Sequence, residues 1–199
     1  MQKMSNFDIK QYWHDETQAH LETSQKTADK MFGDFESVLS ACTSAIQSGN
    51  KILFFGNGGS AADAQHLATE LTIRFINDRD PIAALALTTD TSTLTAAGND
   101  FGFDRIFSRQ IDAIGHSGDI AIAISTSGNS ANIIKALEMA RSKNITTIGF
   151  SGRDGGKMRD LCDHILIVPS EVTARIQEMH ILLGHMLCGG LEQKLELTA

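Results

Sequence analysis

The chain has 199 residues, of which 42% are hydrophobic, enough to bury one sizeable core and too few for two full domains. Its net charge of −7 and pI near 5.4 argue against an extended nucleic-acid footprint, and no window approaches the ~18 uninterrupted apolar residues of a membrane span. The three cysteines, Cys42, Cys162 and Cys188, lack C-x-x-C spacing and lie in apolar-periodic segments, so they read as buried thiols of a soluble, cytoplasmic protein.

Residues 1–13 carry no apolar leader segment. Residues 7–31 are polar with scattered Ile9, Trp13, Leu21 and Met31, which predicts a weakly amphipathic helix whose narrow apolar stripe suits packing on another subunit. Phe35, Val38, Leu39, Cys42 and Ile46 recur at helical spacing over 34–48, and Gly49 supplies the stop before the first strand.

From there short apolar runs alternate with helical segments. Strands are predicted at 51–55, 82–88, 119–124, 145–150 and 164–168, without the polar alternation of a half-exposed sheet. Helices are predicted at 60–75, about 92–98, 103–114, 130–142, a short piece near 156–161, and a long one at 171–195. The pattern implies an α/β, flavodoxin-like fold: a five-stranded parallel sheet sandwiched by helices, with its ligand site beyond the carboxyl ends of the strands. One domain is expected over 1–199, with N-terminal helices in 1–50, the sheet core in 51–170 and the C-terminal helix in 171–195.

Two strand-to-helix turns stand at those carboxyl ends. Ser125-Thr126-Ser127-Gly128-Asn129-Ser130 follows Ile120-Ala121-Ile122-Ala123-Ile124, and Gly56-Asn57-Gly58-Gly59-Ser60 follows Lys51-Ile52-Leu53-Phe54-Phe55. Backbone N–H groups, hydroxyls and the positive end of a helix dipole suit such turns to an anion, and two of them point to a small phosphorylated ligand. Neither turn carries the lysine of a Walker loop, and the glycine turn matches G-x-G-x-x-G/A only loosely.

In the helix after the glycine turn, Asp63, His66, Glu70 and Arg74 form one polar stripe at spacing i, i+3, i+7, i+11. In the last helix Gln177 and His185 share a face two turns apart, whereas His180 lies on another. Where the two helices meet, His66, Glu70, Gln177 and His185 can surround one divalent ion with N and O donors suited to zinc. Spacing alone favours, over a metal site, an i,i+4 hydrogen-bonded pair of His66 and Glu70, with Asp63 and Arg74 as solvated charges and Arg175 with Glu178 as a helix-start pair.

Four segments in order, Phe55 to His66, Gly98-Asn99-Asp100-Phe101-Gly102-Phe103, Ser125 to Ser130, and Arg175-Ile176-Gln177-Glu178-Met179-His180, resemble the phosphoheptose isomerases of the sugar isomerase (SIS) domain family over nearly the whole chain. The resemblance implies a homotetramer with interfacial active sites and oligomerising N-terminal helices. It also implies conversion of sedoheptulose 7-phosphate to D-glycero-D-manno-heptose 7-phosphate, the first step toward ADP-heptose and lipopolysaccharide heptose. On that likeness Ser125, Thr126, Ser127 and Ser130 hold the phosphate, and Asn57, Gly58, Gly59, Glu70, Asn99, Asp100 and Gln177 contact the sugar. One zinc ion per subunit falls to His66, Glu70, Gln177 and His185, and Glu70 and His185 are the acid/base pair. Some members carry an acidic residue where this chain has Ala174, so no role is expected there. Two rival readings are a noncatalytic SIS-fold tetramer that binds a replication-initiator protein, and a SIS protein for another sugar phosphate. Neither a nucleic acid nor a membrane is an expected partner.

Overall fold

The computed structural model of the chain describes residues 7–197; part of the stretch read above for a leader therefore lies outside the described residues. Its five strands are β1 (Ile52–Gly56), β2 (Ala84–Ala86), β3 (Ile120–Ile124), β4 (Thr146–Gly152) and β5 (His164–Val168), all parallel and ordered β2-β1-β3-β4-β5. Every residue of β1 and β3 is buried, as strands covered by helices on both faces must be. The order of the strands reverses between β1 and β3, which opens a crevice at their carboxyl ends. Gly56 pairs with Ile124 across that point, so the glycine turn and the serine turn start side by side.

Seven α-helices flank the sheet among the described residues: α1 (Ile9–Lys30), α2 (Phe32–Gln47), α3 (Gly59–Thr72), α4 (Thr91–Phe101), α5 (Ser108–Ile114), α6 (Ala131–Ser142) and α7 (Thr173–Lys194). On one face Phe54 and Ile122 pack with Val38 of α2, Leu67 and Leu71 of α3 and Leu183 of α7. On the other, Leu53, Phe55 and Ala121 pack with Ile111 of α5 and Ile133 and Leu137 of α6. Each such fully buried large side chain contributes about 1.5–3 kcal/mol through its area removed from water. The α1 helix starts where the Asp8 side chain accepts from the N–H groups of Lys10 (3.0 Å) and Gln11 (3.2 Å). It buries only Thr23 and Thr27, leaving Ile9, Trp13 and Leu21 exposed.

The elements follow the sequence pattern with four main differences, the first being that the helix expected over 103–114 divides into a 3-10 turn at Phe103–Arg105 and α5 at Ser108–Ile114. The second strand contracts from 82–88 to Ala84–Ala86: it is an edge strand, and Leu87 gives only one more bond, to the Phe54 carbonyl at 2.9 Å, before the chain turns. The α4 helix runs on to Phe101, where Gly102 (φ 90°) ends it, so Asn99 and Asp100 lie in its last turn. The α3 helix stops at Thr72 rather than 75. The Glu70 carbonyl, which a continuing helix would offer to the Arg74 N–H, accepts instead from Arg79 Nη2 (2.9 Å), and the Leu71 carbonyl accepts from Arg79 Nη1 (2.8 Å) and the Ile82 N–H (3.0 Å). Arg74 thereby leaves the helical stripe on which its spacing placed it. Of the three thiols, Cys42 and Cys188 are buried and Cys162 is half-buried.

Candidate active site

The serine turn is closed from below and open above. The Ser125 N–H stays in the sheet, donating to the Phe150 carbonyl (2.9 Å), and its Oγ accepts from the Gly128 N–H (3.2 Å). Ser125 is thus the buried floor of the turn. Gly128 has φ 63°, and a Cβ there would run into the Gly155 carbonyl oxygen, so only glycine lets the loops after β3 and β4 come so close. Asn129 braces the same contact, its Oδ1 accepting from the Lys157 N–H at 3.1 Å.

Above the floor, the N–H groups of Thr126, Ser127, Ala131 and Asn132 meet no protein acceptor among the described residues, and the Ser130 hydroxyl makes no cap bond to α6. Free donors at a helix N-terminus, with hydroxyls beside them and no carboxylate bonded in the turn, form an anion cradle.

The glycine turn is tied to it by a pair of amides. Asn57 Nδ2 donates to Asn132 Oδ1 (2.9 Å) and Asn132 Nδ2 donates to Asn57 Oδ1 (2.8 Å). Asn132 escaped the sequence reading; its only mark was one buried polar position in the first turn of an otherwise apolar helix face. Gly59 then opens α3 directly beneath Gln177, whose amide nitrogen occupies the place a Cβ would take. The start of α7 is itself held by Arg175, which bonds Glu178 (2.6 Å) and Glu16 of α1 (3.2 Å), as the helix-start reading of Arg175 and Glu178 anticipates.

Further along, α3 and α7 do meet, and His66 and His185 face each other with Nε2 atoms 2.8 Å apart, one ring donating and the other accepting. Glu70 Oε1 lies 3.4 Å from His66 Nε2. Asp63, which the spacing allowed as a solvated charge, is instead turned inward: its Oδ2 is buried without a hydrogen-bond partner among the described residues. Burial raises the Asp63 carboxyl above its ordinary range, against the opposing pull of His66, Gln177 and His185.

The four expected metal donors therefore stand on two packed helices, with two imidazole nitrogens and a carboxylate oxygen linked through His66. They are chemically apt for zinc, but the two rings are bonded to each other rather than spread about an ion, since nitrogens on a tetrahedral zinc stand roughly 3.3 Å apart for the usual bond lengths. Among the described residues no group of three or more His, Cys, Asp or Glu is placed to hold a metal.

Asn99 and Asp100 are not brought to this cluster. Asn99 Nδ2 donates to Asp100 Oδ1 (2.8 Å), and neither bonds His66, Glu70, Gln177 or His185. Asp100 lines a separate cavity of about 570 Å³ with Asp90, Thr93 and Arg109, which contains none of the four donors. Chemistry rather than volume marks the candidate site. Asp90 itself caps α4 by accepting from the Thr93 N–H (3.0 Å), the structural role open to the Thr88 to Ser92 cluster.

Residues 13–152 match the sequence profile of the SIS domain. The phosphoheptose isomerase of Paramagnetospirillum magneticum is 59% identical over 173 residues, 87% of this chain and 90% of that protein. Among solved structures, phosphoheptose isomerase from Neisseria gonorrhoeae superposes with a TM-score of 0.88 at 41% identity, and that from Francisella tularensis with 0.91 at 35%, each over 94% of this chain and the whole of theirs. A shared fold, identity of this extent, and an anion cradle beside facing histidines agree: the chain belongs to the SIS-domain family and, within it, to the phosphoheptose isomerases.

Proposed function

We infer that the chain is an aldose-ketose isomerase converting sedoheptulose 7-phosphate to D-glycero-D-manno-heptose 7-phosphate. The observation that carries this reading is that Glu70 and His185, on separate helices, both approach His66 on α3, the helix whose opening turn is tied to the cradle by Asn57 and Asn132. The phosphate accepts from the open N–H groups and from the hydroxyls of Thr126, Ser127 and Ser130, with Ser125 shaping the turn. Asn57, Gly58 and Gly59, with the Gln177 amide against Gly59, line the way from cradle to cluster, and Glu70 borders the sugar at its far end.

Isomerisation moves one hydrogen between carbons. Glu70 takes the proton from C1 of the ketose and returns it to C2, while O1 loses its proton to become the aldehyde oxygen and O2 gains one. His185 carries that second proton, the His66 and His185 pair offering one donor and one acceptor. The enediolate formed between the two transfers is stabilised by groups already in place, including the Gln177 amide. His66, Glu70, Gln177 and His185 are the residues that would hold a zinc ion, which would supply Lewis-acid chemistry at the site.

The active enzyme is a homotetramer in this reading, in which Asn99 and Asp100 reach the sugar across an interface. The exposure of Trp13 (72%) and Phe7 (65%) supports a covered α1, and the separation of Asn99 and Asp100 from the cluster supports a shared site. No helix among the described residues is long and apolar enough to cross a membrane, and the reading takes the protein as cytoplasmic and as acting first on the route to ADP-heptose and lipopolysaccharide heptose. A noncatalytic tetramer has no use for the Glu70 and His185 pair. Turnover of sedoheptulose 7-phosphate by metal-replete protein tests the proposal: the wild type converts it, and Glu70→Gln and His185→Ala each lower kcat by about 10²–10⁴-fold. Inactive wild type, or variants as fast as wild type, overturns it.

A further inference from the structure

Beyond Thr72 the chain folds around a buried carboxylate. Glu192, near the end of α7, accepts from the N–H groups of Phe75 (3.1 Å), Ile76 (3.3 Å) and Asn77 (3.3 Å), from Asn77 Nδ2 (3.0 Å) and from Arg79 Nε (3.0 Å). The Arg79 and Glu192 side chains are each only 1% exposed. Burial alone would raise the Glu192 carboxyl, but the N–H donors of Phe75 and Asn77 and the Arg79 guanidinium outweigh it and hold it below its ordinary range. A buried ion pair is weak evidence for stability, because well-packed apolar residues of similar volume serve as well. What this pair does distinctively is fix a short strap of chain, residues 75–79, in one place.

The strap touches the backbone of one reacting residue and the side chain of the other. At one end Arg79 Nη2 donates to the Glu70 carbonyl at 2.9 Å, so the guanidinium that bonds Glu192 also holds the backbone beneath the carboxylate. At the other end the Phe75 ring stacks on the His185 imidazole, with centroids 5.4 Å apart and planes 28° from parallel. The other ring against His185 is that of His66, at 5.1 Å and 66° in an edge-on arrangement. Phe75 lies over Gly189, one turn beyond His185, where a Cβ would stand 3.3 Å from the ring. An imidazole on a half-exposed helix face otherwise turns freely about its outer torsion, which has broad wells. Here one face is covered and Nε2 is aimed at His66.

We propose that Phe75, clasped by Glu192 and Arg79, is a positioning residue for His185: its aromatic face sets the plane of the imidazole so that Nε2 points toward His66 and the substrate oxygens. The proposal rests on His185 being a reacting group. Phe75 touches no substrate and acts only through the ring it covers. A flat ring is required, because an aliphatic side chain of similar bulk fills the space without imposing a plane.

The test compares Phe75→Leu and Phe75→Tyr with wild type, by sedoheptulose 7-phosphate kinetics and by NMR of the intact protein carrying labelled histidine. The His185 ring signals are identified by their loss in His185→Ala. In the wild type these signals show contacts to the Phe75 ring protons and the upfield displacement of a nucleus over an aromatic face. Phe75→Leu abolishes that displacement and lowers kcat about 10-fold with KM within about threefold, as expected for misorientation rather than lost binding. Phe75→Tyr restores both. Undisturbed His185 signals in Phe75→Leu, or wild-type kcat in that variant, overturns the proposal, and so does a leucine variant rescued no better by tyrosine. If Phe75→Leu fails to fold, absence of the ring contact in the wild-type spectrum is sufficient to overturn it. A fully active His185→Ala instead refutes the acid/base role of His185, so the two failures are told apart.

Discussion

Asn57 and Asn132 clasp each other through both ends of their amides, at 2.9 and 2.8 Å, and so join the glycine turn after β1 to the first turn of α6. Each satisfies a donor and an acceptor of the other in a part-buried place, and the pair sets the distance between the phosphate cradle and the turn that leads to the sugar. Asn132→Ala leaves the Asn57 amide without its partner at a cost of about 1–3 kcal/mol. The expected result is a lower urea midpoint together with a higher KM for sedoheptulose 7-phosphate, and kcat less affected than KM. Unfolding curves and steady-state kinetics on the same preparation check both halves. An unchanged KM would mean the pair serves stability alone.

Gly128 gives a sharper test of the cradle. Its φ of 63° is unfavourable for a residue with a Cβ, and the Gly155 carbonyl blocks the space that atom would need. Gly128→Ala must therefore open the contact between the loops after β3 and β4, moving the N–H groups of Thr126 and Ser127. The strain costs upward of about 1 kcal/mol, and the displaced donors raise the KM for the phosphorylated sugar by about 10-fold or more. Competitive inhibition by inorganic phosphate measures the same loss without any chemistry at the sugar. If phosphate inhibits the variant as well as it does wild type, the cradle lies elsewhere.

How much of this was legible beforehand depended on whether a feature is local. The parallel sheet and both turns could be read because buried strands are apolar at every position, as in Ile120-Ala121-Ile122-Ala123-Ile124, and because Gly and Ser at strand ends state their backbone needs directly. The facing of His66 and His185 was legible as helical spacing on each side, although 119 positions separate them, because a stripe on each helix needs only one packing decision to meet. The early end of α3 was not legible: Ile73 and Phe75 continue the apolar rhythm, and what stops the helix is Arg79 and Glu192, the latter more than a hundred residues away. Asn132 and the inward turn of Asp63 were missed for a related reason. A polar residue in a helix announces no partner, and burial of the Asp63 carboxylate is decided by where α7 lies.

The thiols should be inert. Burial pushes the Cys42 thiol up to about 12, with Cys188 adding to it; burial pushes Cys188 up to about 12 as well, with the Glu70 carboxylate adding to it. Cys162, though half-buried, is raised to about 12 by burial and then by Asp163. A thiolate-seeking reagent at mildly alkaline pH is expected to label the native protein slowly and all three cysteines promptly after denaturation. Thiol labelling that destroys turnover faster than it unfolds the protein would contradict this, because no step assigned to Glu70 and His185 involves sulfur.

His180 predicts an acid sensitivity centred on the phosphate turn. Its ring is buried, Nε2 donates to the Ser151 carbonyl at 3.0 Å, and Nδ1 has no partner among the described residues. Ser151 Oγ in turn donates to the Ser125 carbonyl at 3.1 Å, so the histidine stands behind the floor of the cradle. Burial lowers its pKa from 6.5 to about 4, the bond to Ser151 opposing that change. The native state therefore keeps the ring neutral where the unfolded chain takes a proton. Between those two values the unfolded state binds more protons, so stability rises with pH and is lost as pH falls from about 6.5 toward 4; above that window the group contributes no slope. The loss amounts to roughly 3 kcal/mol by the lower end of the window, since each tenfold change in proton concentration there is worth about 1.4 kcal/mol. Carboxylates held low by their partners, such as Asp119 and Glu192, add acid lability of the same sign, which is why the informative quantity is a difference. His180→Gln retains a donor for Ser151 and does not titrate. The variant is expected to show a flatter dependence of unfolding free energy on pH across the window, and a KM that climbs less steeply in acid than that of wild type. Parallel curves for the two proteins would show that His180 titrates alike in the folded and unfolded chain, and the buried neutral ring behind the cradle would have to be given up.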